Sequence, residues 1–128
     1  MKQEDPKKIR EAEKILAELK VQRGGSVLSI HKKMANDPKL LQAFSQQFRI
    51  CKQDITHIPP QYMELMLMLM GAAAGNAVTI KTHGRLAVEK GATLDELGEA
   101  LRLLFFYFGA SAVIPAVELF DELEPEKK

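Results

Sequence analysis

A chain of 128 residues with 46% apolar and 27% charged residues has the balance of an ordinary globular protein with one buried core. Its formal net charge of +1 gives no electrostatic case for nucleic acid or an acidic membrane as a partner. One cysteine, Cys51, excludes an intrachain disulfide and any cysteine-based metal cluster, and fits a reducing cytoplasm. The charged amino end does not read as a secretory signal, and the longest apolar runs, about 10 to 15 residues, fall short of the roughly 20 that span a bilayer. The organisation expected is a single all-α domain over residues 1–128: a charged helical extension (1–25), a core (26–123) and a charged tail (124–128).

Asp5 is placed to cap a first helix with Pro6 at its first position; Ile9, Ala12, Leu16 and Leu19 recur at helical spacing, and Gly24-Gly25 ends it. Ser26 is expected to open a second helix with Val27, Ile30 and Met34 on one stripe, stopped at Asn36-Asp37-Pro38. Pro38 starts a third, carrying Leu40, Leu41, Phe44, Phe48 and Cys51. Residues 54–60 read as a loop, because Pro59-Pro60 disfavours helix before it. A fourth helix is expected from Pro60 to Ala74 with a break at Gly75, and a fifth from Asn76 to Lys90, ending at Gly91. Thr93 and Glu96 form a capping box that opens a sixth helix, running to Phe108. Gly109 separates it from a seventh, residues 110–123, which Pro115 kinks or restarts. No alternating Val/Ile/Thr-rich segment reads as a strand.

Chemistry gathers on the fourth and fifth helices. Glu64 is the one charge in Tyr62-Met63-Glu64-Leu65-Met66-Leu67-Met68-Leu69-Met70-Gly71-Ala72-Ala73-Ala74. A helix apolar all round is normally buried all round, so Glu64 must find a donor, take up a proton, or open into a cleft. Asn76, Thr79 and His83 stand at i, i+3 and i+7, on one face of the fifth helix. At about 1.5 Å per residue, Glu64 and His83 lie at similar heights on either side of the Gly75 turn. A carboxylate facing an imidazole fixes its tautomer and favours its protonated form, and the imidazole then delivers or accepts a proton. Each residue also has a bland reading. Asn76 caps its helix, Thr79 bonds back to its own helix, and His83 is a surface histidine.

Glu64, eleven residues, Asn76, two residues, Thr79, three residues, His83 resembles the motif of the carboxymuconolactone decarboxylase / alkyl hydroperoxidase D family. The peroxidase branch carries Glu, Cys-x-x-Cys and His at this spacing. The segment Leu86 to Leu97, with its Gly91-Ala92 turn, is also similar to the family's helix, turn and next helix, and the resemblance spans residues 26–123. It implies a helical bundle of about six to seven helices of the alkyl hydroperoxidase D type. Where that branch has its two thiols this chain has Asn76 and Thr79, which form neither a sulfenic acid nor a disulfide. Dithiol peroxidase chemistry is therefore not expected at this motif.

The decarboxylase branch does without the cysteines. Resemblance to it implies a lyase that removes carbon dioxide from an unsaturated lactone acid and transfers a proton to the resulting dienolate. Glu64 and His83 would be the catalytic groups, and Asn76 and Thr79 would bind the substrate. No cofactor is expected, since there is no nucleotide-type glycine pattern, and the scattered His31, His57 and His83 form no metal motif. The alternative is a cysteine-less, non-catalytic relative that binds a ligand or serves as an oligomeric scaffold. The Met63–Ala74 and Leu103–Phe108 runs lack a polar face, which leads to the expectation of a homotrimer or homohexamer, with no nucleic-acid or membrane partner.

Overall fold

The computed structural model describes residues 1–123, so the expected charged tail, residues 124–128, lies outside the described part. All regular structure among the described residues is helical, and the chain divides into two compact units, Met1–Ile55 and Thr56–Lys128.

In the first unit, α1 (Pro6–Gln22) begins as its capping residues dictate: the Asp5 carboxylate accepts from the Lys7 N–H, and Pro6 supplies the preset φ of the first turn. Gly24 and Gly25, at φ +78° and +112°, turn the chain out of it. α3 (Pro38–Phe48) starts the same way, with Asp37 accepting from the Lys39 N–H. Ala12, Leu19 and Leu41 form the buried core, with Ile15, Leu16, Val27, Met34 and Phe48 packed around them. The helical path continues past Phe48 as a π-helical stretch, Arg49–Gln53, closed by the Asp54 N–H to Arg49 C=O bond. Cys51 on that stretch is exposed, so the apolar stripe expected to reach it ends at Phe48.

The second helix differs from expectation. α2 (Ser29–Met34) begins three residues after Ser26, and Leu28 is its extended N-cap. His31 sets that start: its Nδ1 accepts the Leu28 N–H at 2.9 Å, satisfying an end donor in the manner of a capping-box residue. The imidazole is fully buried against Phe44, ring centroids 5.2 Å apart, while Ile30 of the expected stripe faces outward.

In the second unit, α4 (Pro60–Ala73) and α5 (Ala77–Glu89) form an antiparallel hairpin through Gly75, whose φ is +70°. α6 (Leu94–Phe108) opens on the Thr93–Glu96 capping box. The Tyr62 hydroxyl donates to the same Glu96 carboxylate at 2.8 Å, tying the start of α4 to that of α6. The Thr93 backbone N–H and then the Tyr62 hydroxyl hold the Glu96 carboxyl below its ordinary range. Residues 110–123 form two helices, α7 (Ala110–Ala116) and α8 (Leu119–Glu122). Pro115 lies inside α7 and has no N–H to give the carbonyl four residues back, and the regular helix ends one residue later at Ala116.

Leu65, Met68, Ile80, Leu97, Leu101, Leu104 and Leu119 build this unit's core. Gly71 and Gly84 let the helices close on it: an added Cβ would meet the Thr79 Cγ2 at 2.5 Å and the Leu119 Cδ1 at 2.6 Å. α4 is not buried all round, since Met66 and Met70 are exposed.

Burial, with Arg23 nearby adding to it, pushes the His31 pKa below 6.5. The unfolded chain therefore binds a proton that the folded one refuses once pH falls below 6.5. The His31 contribution to stability is complete above that pH and is lost as pH drops toward the folded value. His31→Gln keeps an acceptor for the Leu28 N–H and removes the titration. Thermal melts at pH 7.5 and 5.0 should show wild type losing a few degrees more than His31→Gln, at roughly 4–8 °C per kcal/mol. Equal losses in the two proteins would show that His31 is not the group responsible.

Candidate functional site

α4 carries Glu64 one turn from its proline-fixed start, on the face that also buries Leu65 and Met68. Glu64 is fully buried. α5 places His83 opposite, and the two helices approach closely because Gly71 leaves room for Thr79. The His83 Nδ1 lies 2.6 Å from the Glu64 Oε2, a charge-assisted distance. The other oxygen, Oε1, meets the Lys90 ammonium. The His83 side chain keeps 17% of its surface exposed, against 1% for Glu64, so the imidazole is the member of the pair that reaches solvent.

Of the ways an isolated carboxylate can survive in an apolar helix, the structure uses donors: each oxygen faces a nitrogen, an imidazole on one side and an ammonium on the other. Asn76 and Thr79 stand apart from this bonding. The Asn76 Oδ1 caps α5 by accepting the Thr79 N–H at 3.1 Å, and the Thr79 methyl and Cβ pack over Gly71. Lys81, near the site in sequence, pairs with Glu122 at 2.7 Å. Among the described residues no group of three His, Cys, Asp or Glu side chains is placed to hold a metal ion.

Lys90 is the member that spacing arguments on Glu64, Asn76, Thr79 and His83 leave out. Its signal is present: His83 and Lys90 are i and i+7, about 20° apart around a helix of 3.6 residues per turn. A lysine at a helix end is ordinarily read as solvated and favourable to the helix dipole, which hides a second role.

The profile of the carboxymuconolactone decarboxylase family matches residues 38–122, a stretch that contains Glu64, His83 and Lys90. Among solved structures, the chain is similar to a candidate carboxymuconolactone decarboxylase from Burkholderia xenovorans LB400, with a TM-score of 0.61 and 24% identity. That similarity covers 94% of this chain and 99% of the other, and at this identity it speaks for the fold alone. No curated protein matches the chain.

Proposed function

The chain belongs to the carboxymuconolactone decarboxylase family, and we propose that within it this protein catalyses cofactor-free decarboxylation or a related proton transfer on a small unsaturated lactone acid. The observation that carries this reading is the 2.6 Å contact of a part-exposed imidazole with a fully buried carboxylate. Geometry of this kind orients a general acid or base for proton transfer. In the proposed step the bond from carbon to the substrate carboxylate breaks, carbon dioxide leaves, and the electron pair passes into the unsaturated ring as a dienolate. His83 as imidazolium gives its Nε2 proton to carbon, while its Nδ1–H remains on Glu64. A proton taken up from solvent then restores the imidazolium, so that substrate carboxylate and one proton give carbon dioxide and the protonated product. Asn76 through its amide N–H and Thr79 through its hydroxyl are proposed to meet the lactone oxygens.

The thiol chemistry of the peroxidase branch has no atoms to work with at Asn76 and Thr79, and Cys51 is exposed on another unit of the chain. Carbon dioxide release from a panel of unsaturated lactone acids, with no added metal or nucleotide, tests the proposal. Glu64→Gln and His83→Gln should each lower turnover about 100- to 10,000-fold, and an organic hydroperoxide with a dithiol should not turn over. Turnover unchanged in His83→Gln, or peroxide reduction that survives Cys51→Ser, would sink the reading.

We further propose that the protein works as a homo-oligomer, with a second copy packing against the aromatic last turn of α6. Phe105, Phe106, Tyr107 and Phe108 are 57%, 83%, 80% and 56% exposed, and Leu103 and Met70 lie exposed with them. With about 150–250 Å² on each aromatic side chain, these four offer roughly 500 Å² before their aliphatic neighbours are added. That area is spread around the whole last turn of α6, so a partner that buries it wraps the helix end, toward the roughly 800 Å² per partner of a stable interface. A hollow of about 230 Å³ lined by Leu69, Met70, Ala73, Leu103, Leu104 and Phe108 adjoins the projecting rings. Knobs beside a hollow on one surface are what a self-complementary contact requires. Light scattering at micromolar concentration should report a multiple of 14.3 kDa, and Phe106→Glu should lower it. A single 14.3 kDa species independent of concentration would refute self-association.

A further inference from the structure

The proposed proton transfer requires His83 to keep its Nδ1–H donated to Glu64 and to exchange protons through Nε2. A carboxylate 2.6 Å from an imidazole can take two neutral-ring arrangements, which differ by one proton exchanged with solvent. In one, Glu64 is ionised and the His83 Nδ1–H donates to it, leaving Nε2 to exchange protons with substrate. In the other, Glu64 is a neutral acid donating to Nδ1, and the imidazole carries its hydrogen on Nε2. The two place opposite chemistry at the solvent-facing side of the ring, since Nε2 is an acceptor in the first and a donor in the second.

The geometry points to Lys90 as the residue that decides, and we infer that it is the positioning residue of this site: by holding the Glu64 Oε1 opposite His83, it keeps the carboxylate ionised and so fixes the His83 proton on Nδ1 with Nε2 as the exchanging nitrogen. This inference rests on the reading that Glu64 and His83 carry the chemistry. Lys90 is well built for the task. It lies two turns beyond His83 on the same stripe of α5, and side chains on a helix lean toward its N-terminus, here back toward Glu64. Its backbone is pinned, as the helix C-cap, by the Lys90 N–H to Leu86 C=O bond at 3.0 Å. Gly91 then turns away at φ +108°. The ammonium pairs with Glu64 while 37% of the side chain stays exposed. Its aliphatic stem bridges the distance between helix end and buried oxygen.

The cation acts on the proton inventory through simple charge balance. With Lys90 on Oε1, protonating Glu64 would strand an ammonium against a neutral acid, so the carboxylate form prevails and Nδ1 must donate. Lys90 and Glu64 then cancel, and His83 cycles between neutral and +1 without leaving a net buried charge in its resting state. Without Lys90, one cationic partner is gone and burial favours the neutral acid. A bridge that merely strengthened the fold would leave the ring tautomer untouched.

Nitrogen-15 NMR of the ring nitrogens in the full chain reads the tautomer directly, with His83 assigned by the signal lost in His83→Gln. Wild type and Lys90→Arg should show the hydrogen on Nδ1 above pH 7. In Lys90→Met, which keeps the stem and removes the charge, the Nε2–H form should become the majority. A Lys90→Met spectrum with the wild-type tautomer would overturn the inference. The carbon-13 signal of the Glu64 carboxyl in unaltered protein gives a second decision that needs no variant: ionised at pH 7 supports the role and protonated refutes it, even if Lys90→Met does not fold. Failure here is distinct from failure of the proposed function. An unchanged tautomer together with turnover lost in Glu64→Gln removes Lys90 alone, whereas full turnover in His83→Gln removes the reading on which it rests.

Discussion

The Glu64 carboxylate lies wholly out of water on a helix whose other residues from Met63 to Ala73 are Met, Leu, Ala and Gly, and an ion survives there only where charged or polar groups are fixed around it. That requirement organises the second unit. It sets the register of α4 against α5, because His83 must arrive level with Glu64. It accounts for the close approach at Gly71, where any Cβ would push Thr79, and with it α5, outward. It also reaches to the end of α5, where Lys90 meets the second oxygen. Burying the group is expensive, and the same burial makes it sensitive to its partners, which is the property proton-transfer sites use.

Much of this was legible in the residues because the signals are local and steric. Asp5-Pro6, Asp37-Pro38 and Pro60 set helix starts through fixed φ and short acceptors, and Thr93 with Glu96 set another by reciprocal bonding. Glu64 stood out as the one charge in an apolar helix, and the Gly75 turn put His83 level with it. Less was legible where the deciding contact is remote or the signal ambiguous. Val27, Ile30 and Met34 satisfy helical periodicity, yet His31 is the buried residue, because a side-chain bond to Leu28 moved the helix start and changed the inward face. Periodicity marks an apolar face without saying what covers it, so the Met63–Ala74 run reads equally as core or as a subunit contact, and within it Met68 is buried while Met66 and Met70 are exposed. Lys90 shares a stripe with His83, but nothing in a lysine near a glycine separates a solvated helix end from a counter-ion.

The family match from 38 to 122 runs across both compact units, while the polar network lies entirely in the second. Asn76 caps the helix through its Oδ1 and Thr79 packs its methyl over Gly71, structural contacts that do not use the amide N–H and hydroxyl assigned to substrate in the proposal. The imidazole–carboxylate contact, by contrast, joins α4 to α5 and brings a part-exposed ring against a buried ion.

Coupling between Glu64 and His83 tests the account at its centre. Urea unfolding of Glu64→Gln, His83→Gln and the double variant forms a mutant cycle that isolates the pair from everything else each residue touches. A part-buried, charge-assisted contact predicts non-additivity of about 1–3 kcal/mol, with the second substitution costing much less once the first is made. Single-variant losses that simply add, within about 0.3–0.5 kcal/mol, would mean the two side chains do not depend on each other, and would contradict it.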